Sequence, residues 1–132
     1  MLASVETRLP AMRALAGGVT ATELRVTRLS EASAQALIDG VADPNPKVRW
    51  WCIQLLDHLP DDRAIPPLMR ALDDPVPRVR RNAAHALGCV ACKPTMTAPF
   101  PVAALEALAR LAEADPNAKV RAEAAHSLQC RR

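Results

Sequence analysis

Apolar residues in this chain return with a helical period, broken at intervals by one short segment of acidic, proline and basic residues. Three such segments align without gaps: Asp43-Pro-Asn-Pro-Lys-Val48-Arg49, Asp74-Pro-Val-Pro-Arg-Val79-Arg80 and Asp115-Pro-Asn-Ala-Lys-Val120-Arg121. With each valine as position zero, apolar side chains recur at plus four, five, seven and eight. Examples are Cys52, Ile53, Leu55 and Leu56, or Ala83, Ala84, Ala86 and Leu87. That spacing draws one buried stripe along an amphipathic helix. The Asp-Pro step turns the chain. Pro46 and Pro77 then fall near the first helical position, where a missing N–H breaks no bond.

A second helix is expected before each of these, over Ser30 to Val41, Asp61 to Leu72 and Pro101 to Ala114. Their buried faces would be Leu37 and Val41, then Ile65, Leu68 and Leu72, then Leu105, Leu108 and Leu111. The first two valines stand 31 residues apart and the second two 41. The excess falls around Cys92 to Pro101, where a proline-rich run without periodicity reads as an inserted loop at 93–101. Helix pairs of this period cannot bury their apolar faces alone, so they must stack.

The expected architecture is therefore all-α: an α-solenoid, or α-α superhelix, of about three helix pairs at 30–59, 60–92 and 99–130. Residues 1–29 match no repeat. They read as an N-terminal helical cap, with helices over Ser4 to Ala16 and Thr22 to Leu29 separated by Gly17-Gly18. The outer face of the last pair is a candidate for pairing with a second copy in a homodimer.

The run from Asp74 to Gly88, with its Asp-Pro, Val-Arg and closing Ala-Leu-Gly, resembles the HEAT-like repeats of the phycobilisome-lyase type. The resemblance extends over roughly residues 30 to 130. It implies a ladder in which Asp43, Asp74 and Asp115 with Arg49, Arg80 and Arg121 tie adjacent repeats. It also implies that the second helix of each pair lines the concave surface. Such repeats serve many unrelated functions, so no lyase activity follows from it.

Composition agrees with helices. Aromatic residues make up 2% of the 132 residues, only Trp50, Trp51 and Phe100, and the apolar content is alanine and leucine. The net charge of +3 falls short of the dense basic stripe of a nucleic-acid binder. No signal peptide and no membrane span is evident, so a cytoplasmic location is the expectation. Cys52, Cys89, Cys92 and Cys130 are then expected as thiols or metal ligands rather than disulfides.

At 100° per residue, positions plus three, six, ten and thirteen of each second helix share the stripe opposite the core. They are Trp51, Gln54 and His58; Asn82, His85, Cys89 and Cys92; Glu123, His126 and Cys130. The leading expectation is a non-catalytic scaffold without cofactor, holding a protein partner through Trp51, Gln54, His58, Arg81, Asn82 and His85. Of the two tryptophans, one is expected to pack on the preceding repeat while the other, favoured as Trp51, projects into the groove.

A second reading is a zinc or other transition-metal site using His58, His85, Cys89, Cys92, His126 and Cys130. Two i, i+4 His/Cys pairs on neighbouring helices would offer four mixed N/S ligands. Against it, cysteine also serves as a small core hydrophobe, as expected for Cys52. A third reading is nucleic-acid binding through Arg49, Arg78, Arg80, Arg81 and Arg121. It ranks last, because acidic residues flank many of these and the ladder engages Arg80. No phosphate loop, nucleophile elbow or His-Glu-x-x-His motif is present.

Overall fold

The computed structural model describes residues 31–58, 62–88 and 100–131. The expected N-terminal cap, Cys89, Cys92 and nearly all of the expected 93–101 loop lie outside the described residues. Among the described residues six α-helices follow one another: α1 (Glu31–Gly40), α2 (Pro46–Asp57), α3 (Ile65–Ala71), α4 (Pro77–Gly88), α5 (Val102–Ala114) and α6 (Ala118–Arg131). A single 3-10 turn, Asp62–Ala64, leads into α3. There is no strand among the described residues. None of their helices is long and apolar enough to cross a membrane.

The three Val-Arg segments open α2, α4 and α6 as expected. In the first, the Asn45 side chain accepts a hydrogen bond from Lys47 N at 2.8 Å. In the third, Asn117 accepts from Lys119 N and Val120 N at 2.9 and 3.2 Å. Both satisfy helix-start N–H groups that have no partner within the helix. The equivalent position in α4 is Val76, whose carbonyl accepts the first helical bond from Arg80 N. With no side-chain acceptor there, Pro77 sets the backbone for helix instead.

The first helices depart in detail from the periodic reading. Where one helix was expected over Asp61 to Leu72, the chain makes a 3-10 turn and then the short α3. Pro66 and Pro67 lack N–H groups and are tolerated only in a first helical turn, so they place the α-helical start at Ile65. Of the expected buried face of α5, Leu108 is buried whereas Leu105 and Leu111 are half-buried. Ala104 joins Leu108 in the core. No described helix pair covers α5 and α6 on their far side.

Helices pair as α1 with α2, α3 with α4 and α5 with α6, and the repeats join chiefly through α2 against α4 and α4 against α6. Val48, Val79 and Val120 are sealed at 0%, 1% and 1% exposure, at equivalent places in the stack. A continuous apolar cluster runs from Leu37 in α1 through Ile53, Leu56, Leu68 and Leu87 to Ala124 in α6. Burying that surface is the dominant favourable term in the fold.

Charged groups fix the register between repeats. Arg49 Nε and Nη2 donate to the Asp74 carboxylate at 2.7 and 3.0 Å. Arg80 does the same to Asp115 at 2.8 and 3.1 Å. Arg49, Arg80 and Arg121 also donate through Nη1 to the carbonyls of Asp43, Asp74 and Asp115 respectively. The carboxylates in turn accept the backbone N–H two residues on, from Asn45, Val76 and Asn117. The ladder expected from the resemblance is present between all three repeats. Ties to backbone carbonyls run beside it, from Asn82 Nδ2 to Trp50 O, Ser127 Oγ to Ala84 O and Arg131 Nε to Leu87 O.

Candidate functional site: the groove of the second helices

Because α2, α4 and α6 stack side by side, residues at one offset from each valine form rows across the same face. Two open cavities lie along it. The first, of about 340 Å3, runs between the opening turns of α2 and α4 and is walled by Trp50, Trp51, Val76 and Val79. Lys47 and Arg78 stand beside it. The second, of about 290 Å3, is lined by Trp50, Arg78, Arg81, Asn82, His85 and Glu123. Trp50 and Arg78 belong to both, so the cavities meet at that pair.

Trp50 and Trp51 pack edge to face, with ring centroids 5.0 Å apart. The Arg78 guanidinium lies 5.2 Å from the Trp50 ring centroid, within cation–π range. Both tryptophans are half-buried and rest on the core cluster. The sequence divided them into one packing and one groove residue. In the structure both wall the first cavity, and Trp50 is the one shared with the second.

Of the other residues expected to meet a partner, Arg81 is exposed and 3.8 Å from Glu123. Asn82 is nearly buried, and its amide is engaged by the Trp50 carbonyl. Gln54 is half-buried and lines neither cavity. His58 caps the end of α2, and its Nδ1 is buried with no hydrogen-bond partner among the described residues.

His85 sits between two carboxylates from the neighbouring repeats. Its Nε2 is 3.4 Å from Asp57 of α2 and its Nδ1 3.0 Å from Glu123 of α6. The hydrogen bond to Asp57 is the largest influence on the ring. Burial opposes protonation, but the charge of Asp57 and the bond and charge of Glu123 outweigh it, raising the pKa to about 9. Asp57 is 1% exposed and had no place in the sequence reading. Its one legible signal was an acidic residue beside the apolar pair Leu55 and Leu56.

This arrangement carries a pH dependence. The folded pKa of His85 lies above its ordinary 6.5, so the stabilisation is complete below about pH 6.5 and lost as pH rises through about 9. The side chain is 45% exposed, so solvent screening reduces the effect to about 1 kcal/mol. Urea unfolding at about pH 6 and pH 9.5 should show that loss on the alkaline side, and His85→Gln should flatten it.

The metal-ligand set is only partly brought together. His126 Nε2 and Cys130 Sγ are 3.7 Å apart on the exposed side of α6. His85 faces the carboxylates of Asp57 and Glu123 rather than another histidine or cysteine of the set. Cys52 is buried in the core. Among the described residues no group of three His, Cys, Asp or Glu side chains is arranged to hold an ion. Of the arginines weighed for nucleic acid, Arg49 and Arg80 are engaged in the ladder, whereas Arg78 and Arg81 remain exposed on the groove.

The family model for HEAT repeats matches residues 34–129, all three helix pairs. The chain belongs to the HEAT repeat family. No curated protein matches this HEAT repeat chain as a relative. Family membership accounts for the stacked pairs and the ladder. The groove residues, by contrast, differ from repeat to repeat.

Proposed function

We propose that this HEAT repeat protein is a non-catalytic scaffold that holds a protein segment along the groove of α2, α4 and α6. HEAT repeats commonly mediate protein interaction. The observation that carries the reading is the meeting of two cavities at Trp50 and Arg78, where an aromatic wall and a cation adjoin open space. Tryptophan and arginine are the residues most enriched where binding energy concentrates. The groove is rigidly floored, since Val79 and Asn82 beneath it are held by the core and by the Trp50 carbonyl. Preorganisation of this kind lowers the ordering cost of association.

A photo-crosslinking residue at Arg81 tests this against one at Arg110, which lines a shallow cavity on the opposite, first-helix side. Adducts to a protein partner are expected at position 81 and not at 110, with Trp50→Ala lowering their yield. Adducts confined to position 110, or none at 81, would refute the groove as the binding face.

A further inference from the structure

Within the groove reading, and resting on it, one position distinguishes the middle repeat. Asn45 and Asn117 cap α2 and α6 through their side chains, but the same place in α4 is Val76. An asparagine cap is worth about 1 kcal/mol over an apolar residue, so Val76 forgoes local stability. What it supplies is apolar surface: Val76 is half-buried and lines the first cavity with Trp50 and Trp51.

Charge is ordered along the same edge. The residue before each of the three helix-opening valines is a cation, Lys47, Arg78 and Lys119, and all three are exposed. Neither α2 nor α4 has an acidic residue in its first turn, and the carboxylates just before them, Asp43 and Asp74, are buried and already accept backbone N–H groups. Among the described residues Glu123 is the only acid lining either groove cavity, and His85 and Arg81 already face it.

We infer that the groove binds an extended acidic peptide segment that seats one large apolar side chain against Trp50, Trp51 and Val76, with carboxylates on Lys47 and Arg78. Stacked helices lie about 8–10 Å apart, and an extended chain advances about 3.3 Å per residue, so acidic residues about three apart would meet successive repeats. Nucleic acid fits less well. A strand tracking its phosphates draws on many cations, whereas the ladder engages Arg49 and Arg80 and the first cavity offers chiefly an apolar wall of Trp50, Trp51 and Val76 beside Lys47 and Arg78.

The test uses fluorescence anisotropy with the full chain and three labelled probes. One is a peptide of about twelve residues with a single phenylalanine among glutamates, the second replaces the glutamates with lysines, and the third is an oligothymidine of matching length. The acidic peptide is expected to bind, and to weaken about tenfold when Lys47 and Arg78 are both changed to Glu and when its phenylalanine becomes serine. Its affinity should also fall as salt rises.

Val76→Asn separates binding from folding. The new cap offsets the lost valine packing, so stability holds within about 1 kcal/mol while affinity for the acidic peptide drops. Equal binding of the lysine peptide, tighter binding of the oligonucleotide, failure of the acidic peptide to bind, or a Val76→Asn protein that binds unchanged would each overturn the inference. If adducts still form at position 81 in that case, the groove remains the binding face and only the partner chemistry is wrong.

Discussion

Arg80→Ala is expected to lower the unfolding free energy by about 3 kcal/mol. The guanidinium reaches across a repeat boundary to Asp115, and the two side chains are 12% and 3% exposed. Removing it leaves a buried carboxylate with only a backbone N–H, and that desolvated charge accounts for most of the loss. Arg80→Lys should recover little, because one ammonium cannot reproduce two parallel bonds to Asp115 and a third to the Asp74 carbonyl. Urea unfolding of Arg80→Ala, Asp115→Ala and the double variant checks it. A coupling near zero would mean that the ladder orders the repeats without stabilising them.

The same pair has an acid-side signature. Burial alone would raise the Asp115 carboxyl. The hydrogen bond from Arg80, the Asn117 N–H and the charges of Arg80 and Arg121 together lower it below its ordinary 3.8. Its contribution is therefore fully present above that value and disappears as pH falls through the lower folded one. Without Arg80 burial weighs more, so the loss should begin at higher pH.

Gly88→Ala is expected to cost a further comparable amount, about 2–3 kcal/mol, through close approach rather than charge. Gly88 ends α4 against α6, where an added Cβ would overlap the Ser127 side chain and come within 2.5 Å of the Ser127 Cα. The overlap involves backbone on both sides, so the helices must separate. Separation would also stretch the 2.7 Å bond from Ser127 Oγ to the Ala84 carbonyl. Ser127→Ala should not rescue the variant, since its Cβ remains. Ser127→Gly should recover part of the loss, less about 1 kcal/mol for glycine in a helix. Thermal or urea unfolding followed by circular dichroism reads all three, and a neutral Gly88→Ala would show that the two helices cross farther apart.

Most of the fold was legible because it rests on short-range rules repeated three times. Val48, Val79 and Val120 mark equivalent helix starts, and their burial follows from a period that any amphipathic helix obeys. The paired offsets of Asp74 with Arg49 and Asp115 with Arg80 were legible through the resemblance to known repeats. The 3-10 turn before Pro66 and Pro67 was not anticipated, although the prolines that require it stood in plain view. The half-exposure of Leu105 and Leu111 depends on which neighbour covers α5, which periodicity cannot supply.

The candidate site divides differently. Helical geometry put Trp51, Gln54, Asn82 and His85 on one face; Trp51 lines the first cavity, Asn82 and His85 the second, and Gln54 neither. What their side chains do depends on atoms far away in the chain. Asn82 turns its amide to a carbonyl 32 residues back, and His85 reaches Asp57 behind and Glu123, 38 residues ahead.

The order of residues alone determined that helices form, where they start and which stripe is buried, because each of those is settled within a turn or two of chain. Tertiary packing alone decided that Trp50 joins two cavities, that Val76 lines one of them and that His85 lies between two carboxylates. Those properties arise from distances and dielectric between separate repeats, which come into being only when the stack closes.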